Sequence, residues 1–253
     1  KMITTLDHAS GGRAGLNIVS GAYKGEFEQM GAWRHDLDHA ERYALAEEWV
    51  QILQRLWTEE RVDFAGEHFT LTDCMSEPKP LSSPRPTLIC AGTSETGLRY
   101  TAKYTDASFV HGATDEELGT ASRRAKEIGR EYGKDIKTFC MMTIVPGETD
   151  AEAEERVALY RSGADAGAIA TMQASYGPKP DGKESALAAR ARDAFMTSVI
   201  AGSPETIITR IEAMLDTAQL DGMMLIFPDY IADLKIFGDR ILPALRERAA
   251  VEA

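Results

Sequence analysis

The chain has 253 residues, 43% hydrophobic and 27% charged, enough to bury a sizeable core as one large domain or two small ones. Its formal charge is −12, and Lys and Arg are interleaved with acids along the helical stretches, which argues against nucleic acid or an anionic membrane as a partner. No apolar run approaches the ~18 to 20 residues of a spanning helix, and the opening KMITTLDHASGGR lacks the basic and apolar regions of a signal peptide, so the cytoplasm is the default compartment.

The first residues read as the last turn of a helix, with Met2, Ile3 and Leu6 on an apolar stripe ended by Gly11-Gly12. A chain opening inside a helix reads as a fragment. Ala14–Ser20 is a short apolar run bounded by glycine, suited to a buried parallel strand, and a loop follows through Gly21 and Trp33 to Asp38. From Ala40 to Trp57 the residues Tyr43, Leu45, Ala46, Trp49, Val50, Leu53, Leu56 and Trp57 recur at helical steps, with Asp38 as cap and Glu41 as its capping-box partner. Residues 62–86 are an excursion of short alternating segments and four prolines, an ordered loop or a hairpin.

Thr87–Gly92 then reads as strand, Ser94–Tyr104 as a helix capped by Ser94 or Thr93, and Ala107–His111 as strand. A charged helix over 115–132 precedes the strand Phe139–Val145. Residues 150–201 form a second excursion, mostly helical by composition and broken by a mobile loop over 176–182, rich in glycine and proline. Ser203 and Pro204 open a helix to Ala218, Asp221–Phe227 is a last strand and Tyr230–Arg246 a last helix. Five strands alternating with helices imply an α/β fold with a parallel sheet, built as a barrel lacking its first three βα units or as an open doubly wound sheet.

The strongest local signal for chemistry is Cys90-Ala-Gly-Thr-Ser-Glu-Thr-Gly97, where a strand turns through glycine into a helix N-terminus headed by hydroxyls. Free N–H groups, the helix dipole and Ser94 together suit phosphate; the bland alternative is an ordinary cap. A second patch comprises Asn17, Glu26 and the Arg42-Tyr43 pair, in which Arg42 can fork onto phosphate oxygens, Tyr43 can donate a hydroxyl and Asn17 can face a heterocycle. For Arg42 and Glu26 the bland alternative is a solvated surface pair. No dinucleotide fingerprint, P-loop, HExxH or GxSxG appears, and the catalytic residues stay unassigned. Of the five histidines only His111, at a strand end, deserves watching. Cys74, Cys90 and Cys140 lack metal or disulfide spacing and read as reduced, inert thiols.

Taken together, Thr4–Arg13, Gly15–Gly21, Glu26–Gly31, Arg42-Tyr43, Ala91–Ser94 and Phe237–Pro243 resemble the luciferase-like monooxygenases, in particular the branch of pyrimidine oxygenases. The match is in register over nearly the whole chain and is weakest from about 160 to 201. The resemblance implies a (β/α)8 TIM barrel of the bacterial luciferase type, entered near the end of its third helix, with residues 1–253 as one incomplete barrel domain. It implies FMN, with Asn17 and Glu26 lining the flavin pocket and Arg42, Tyr43 and Ser94 gripping the ribityl phosphate. It also implies a separate NAD(P)H-dependent flavin reductase supplying FMNH2, O2 and a small organic substrate, heterocyclic or xenobiotic, and a homo-oligomer. Where the pyrimidine branch commonly has Gly-Trp, this chain has Gly21-Ala22 followed by Tyr23, which puts uracil itself in doubt. Three alternatives stand beside this reading: hydride transfer with the deazaflavin F420 on the same fold, a flavin-binding protein without turnover, and a generic βα domain that binds some other phosphorylated ligand at Ser94.

Overall fold

Short apolar runs alternating with amphipathic helices give parallel strands in both parts of the chain. The computed structural model describes residues 1–20, 24–176 and 194–251. Two units emerge: Lys1–Ala22, Ala32–Val110 and Arg123–Thr138 make one, and Tyr23–Gly31, His111–Ser122 and Phe139–Ala253 the other.

The first unit opens with α1 (Met2–Ser10), which ends on Gly11 in the left-handed conformation (φ 66°) that an L side chain resists. Of its expected apolar stripe only Ile3 packs against the core. Met2 and Leu6 are exposed, whereas Thr4 and Asp7 are buried. The physical reason is polar: the Asp7 carboxylate accepts hydrogen bonds from the Ser82 amide (2.8 Å), the Ser82 hydroxyl (2.6 Å) and the Ala14 amide (3.3 Å), fastening the helix to the start of the following strand and to the segment ahead of Thr87.

β1 (Gly15–Ile18) follows, in parallel register with β4 (Thr87–Cys90), which pairs in turn with β5 (Ala107–Phe109). Only Ile18 of β1 is buried, so this strand is less enclosed than expected. α2 (Lys24–Gln29) belongs to the second unit. α3 (His39–Thr58) begins with the complete capping box, Asp38 Oδ1 accepting from Glu41 N (2.8 Å) and Glu41 Oε2 from Asp38 N (2.6 Å). Tyr43, Ala46, Val50 and Trp57 of α3 join Ile18, Leu88, Cys90, Tyr100 and Tyr104 in one core. Trp49, counted on the stripe by spacing, is instead exposed, and Ile52 is buried.

The excursion after α3 contains an antiparallel hairpin, β2 (Val62–Ala65) and β3 (Thr70–Cys74). Its tip is pinned to α3 by the Glu48 carboxylate, which accepts from the amides of Glu67, His68 and Phe69 at 2.7, 2.9 and 3.0 Å. α4 (Glu95–Tyr104) lies between β4 and β5, and α5 (Asp115–Glu131) follows β5. Arg85 forks onto Asp106 (2.6 and 2.9 Å), whose carboxylate also takes the Leu88 amide, tying the start of β4 to that of β5.

β6 (Lys137–Pro146), in the second unit from Phe139 on, pairs in parallel with β7 (Val199–Gly202) through Thr143–Pro146 and with β8 (Gly222–Ile226) through Phe139–Thr143. The expected helical stretch after residue 150 is divided into α6 (Asp150–Ser162) and α7 (Ala166–Tyr176), and the strand β7 was not anticipated, its first residues having been counted in the helical stretch. The loop expected over 176–182 lies, beyond Tyr176, outside the described residues, as does the Gly21-Ala22-Tyr23 departure apart from its context. α8 (Pro204–Ala218) has Ser203 as cap and Pro204 at its head.

The last helix is not continuous. α9 (Ala232–Ile236) passes through a π-helical turn, Phe237–Ile241, into α10 (Leu242–Val251). Pro243 has no N–H and its ring would crowd an α-helical carbonyl four residues earlier; the wider turn, in which the Leu242 N–H reaches the Phe237 carbonyl, relieves both. Arg156 of α6 bonds the Pro146 carbonyl, Tyr160 (3.1 Å) and the fully buried Asp233 (2.7 Å), joining α6, the end of β6 and α9.

Candidate functional site

At the end of β4 the chain turns through Ala91, Gly92 and Thr93 into α4. Ser94 stands at the N-cap with extended backbone (φ −72°, ψ 160°), and its Oγ accepts the Gly97 N–H at 3.1 Å. The Ser94 carbonyl takes the first intrahelical bond, from Leu98 N at 2.8 Å. Helix geometry leaves the N–H groups of Glu95 and Thr96 outside that ladder, at the positive end of the dipole. Residues 93–96 are exposed, so this end is open to a ligand.

Tyr43 reaches the same turn from α3. Its ring is buried between His39 (centroids 5.2 Å apart, edge-on) and Tyr100 (5.3 Å). Its hydroxyl fits a notch that only glycine permits: a Cβ at Gly92 would lie 2.8 Å from Tyr43 Oη, and one at Gly97 2.7 Å. Gly92 and Gly97 also face each other, each Cβ position falling 2.9 Å from the other's Cα. Burial pushes the Tyr43 pKa up, against hydrogen bonding with the Ser20 and Ser94 side chains, so the hydroxyl remains a neutral donor at pH 7. Tyr43 and Ser94, separate in sequence, are thus brought together.

The other expected residues are placed less tightly. Arg42, half-buried, lays its guanidinium over the Trp33 ring (5.1 Å to the centroid) and donates to the Leu37 carbonyl at 3.2 Å. The Trp33 contact and the single bond to Leu37 engage only part of a guanidinium that carries five N–H donors. Asn17 is exposed on β1, in register with Ile89 just ahead of the Gly92 turn. Glu26 is exposed on α2, in the other unit. His111 is half-buried beyond the end of β5.

Three participants went unassigned in the sequence. Gly97 had a visible signal, its spacing from Gly92, although the reason for it is tertiary. Ser20 and Trp33 carried none, because their roles depend on Tyr43 and Arg42 folding against them. Cys90 and Cys140 are buried free thiols, and burial raises the Cys140 pKa to about 11, which makes it a poor nucleophile. Among the described residues no cluster of three His, Cys, Asp or Glu is arranged to hold a metal, and no helix is long and apolar enough to cross a membrane.

Helix N–H groups, a serine hydroxyl and a neutral tyrosine hydroxyl around a glycine-lined turn are donors without a competing acceptor charge of their own, a set that fits a phosphate group.

Residues 1–220 match the family model described as luciferase-like monooxygenase. The pyrimidine monooxygenase RutA of Acinetobacter baylyi is 33% identical over 261 residues, covering 100% of this chain and 70% of that relative. Among solved structures, the riboflavin lyase RcaE with modified FMN and riboflavin superposes with a TM-score of 0.84 at 20% identity, over 98% of this chain and 66% of that one. The long-chain alkane monooxygenase LadA gives 0.82 at 20% identity, over 97% and 65%. These likenesses show a shared α/β fold, of which this chain spans about two thirds of the length seen in the solved structures. By sequence over its full extent and by fold, the chain belongs to the luciferase-like monooxygenase family, a family of enzymes.

Proposed function

We propose that this chain is the phosphate-gripping part of a two-component FMN-dependent monooxygenase. The carrying observation is the seat of the Tyr43 hydroxyl against Gly92 and Gly97, beside the Ser94-capped start of α4. In this reading the α4 N–H groups, Ser94 and Tyr43 hold the ribityl phosphate, and Arg42, braced on Trp33, closes on it with its free edge. Asn17 offers an amide donor and acceptor to the flavin ring. Reduced FMN, supplied by an NAD(P)H-dependent flavin reductase, provides when bound the electrons that activate O2. The chain's residues would fix the phosphate and orient the ring, and the bound group would supply one atom of O2 to a small heterocyclic or xenobiotic substrate, the other leaving as water.

The test titrates the protein with FMN, riboflavin and F420 by fluorescence, then couples it to a flavin reductase with NADH, O2 and a panel of heterocycles. Selective FMN binding with an oxygenated product supports the proposal. Preference for F420 points to hydride transfer on the same fold, and FMN binding without any product points to a flavin-binding protein without turnover.

A further inference from the structure

Glu95 is the acidic residue of the first turn of α4. A glutamate there suits the dipole, but a carboxylate free to fold back onto the helix end would compete for the N–H groups and repel a phosphate dianion. The structure holds it elsewhere. Glu95 Oε1 accepts from Arg99, one turn further on, at 2.8 and 2.9 Å, and both carboxylate oxygens lie 3.1 Å from Arg124 Nη2 of α5. The two arginines are themselves fixed by second acids, Arg99 by Glu131 (2.8 Å) and Arg124 by Glu127 (2.9 Å). The Glu95 carboxyl sits below its usual pKa, chiefly through its bonds to Arg124, and so stays ionised and bound at neutral pH.

We infer that the Glu95–Arg99–Arg124 bridge is a specificity element for the phosphate: by drawing the first-turn carboxylate away from the start of α4, it leaves that end to an external anion. Arg124 touches no ligand in this account and acts only through Glu95. The inference rests on the phosphate reading above. All three side chains are substantially solvated, so the effect is modest and sensitive to salt.

The experiment compares wild type, Arg124→Gln, Glu95→Gln and the double variant, each titrated with FMN and with riboflavin at low and high salt. Arg124→Gln lowers FMN affinity by about two- to fivefold and leaves riboflavin unchanged, the scale of an exposed ion pair. The double variant recovers wild-type FMN affinity, and the difference shrinks at high salt. Arg124→Lys, which keeps the charge, and thermal melts of all variants separate this effect from loss of folding. An unchanged FMN affinity in Arg124→Gln, equal losses for both ligands, or a double variant no better than the single overturns the inference. A wild type that binds riboflavin as well as FMN removes the phosphate reading and this inference together; a wild-type preference that none of the variants moves removes this inference alone.

Discussion

α4 and α8 begin alike: a glycine, a serine cap and a glutamate in the first turn, each serine accepting the N–H three residues on, from Gly97 at 3.1 Å and Thr206 at 3.4 Å. Their surroundings differ. At α8 the Asp150 carboxylate occupies the positive end, accepting the Ser203 amide at 2.7 Å, while Pro204 removes one donor altogether. At α4 the first-turn carboxylate is bound to arginines, and the neighbour at the helix end is a neutral hydroxyl. One helix start is closed from within and the other is left for a ligand. The same local motif therefore serves structure in one place and recognition in another, decided by residues far away in sequence.

The largest expected effect falls at α4. Ser94→Ala and Tyr43→Phe should each weaken FMN by about ten- to a hundredfold, the value of a hydrogen bond to a charged group, with riboflavin changed less than about twofold. Fluorescence titration reads both, and equal losses for the two ligands would break the contrast between the helices. Next comes the glycine notch. Gly97→Ala places a Cβ 2.7 Å from Tyr43 Oη and 2.9 Å from Gly92 Cα, so it should cost about 1–3 kcal/mol by denaturant melting and also erode FMN selectivity. An alanine variant of full stability and selectivity would show that the notch is slack.

At α8 the effect is on stability alone. Ser203's amide first, then the Thr206 and Ser203 hydroxyls, hold the Asp150 carboxyl below its usual range. A lowered folded value means stabilisation that is present above the ordinary aspartate pKa of about 3.9 and is lost as pH falls through the folded value. Asp150→Asn should therefore lower the melting temperature at neutral pH, approach wild type in acid, and leave FMN affinity unchanged. Loss of FMN binding in this variant would blur the distinction drawn here. Smallest is Trp33→Phe, which keeps a ring under Arg42 and should shift FMN affinity by no more than about twofold, against a larger loss for Trp33→Ala.

Much of this was legible in the sequence where the determinants are local. Asp38 with Glu41, Ser94, and Ser203 with Pro204 mark helix starts because a cap and its partner lie within one turn. The parallel strands around Leu88, Met141 and Leu225 were visible as apolar runs. Most of what failed was decided by distant partners. Spacing put Leu6 on an apolar stripe with Ile3, but Asp7's bonds to Ser82, across a long sequence interval, bury Asp7 while Leu6 stays exposed and only Ile3 packs on the core. The π-turn before Pro243 left no trace in periodicity, because five residues of π- and α-helix share nearly the same pattern. Within the site, Tyr43 and Ser94 were individually suggested, whereas the glycine notch that joins them and the stacking of Arg42 on Trp33 exist only once α3, α4 and the preceding loop are folded.

The most direct test of the central claim is the ratio of riboflavin to FMN dissociation constants, measured by flavin fluorescence for wild type and Ser94→Ala under one buffer condition. Recognition through the phosphate predicts FMN bound at least about tenfold tighter by wild type, with the ratio falling toward one in the variant. Equal binding of the two flavins by wild type, or a ratio that Ser94→Ala does not change, would contradict it.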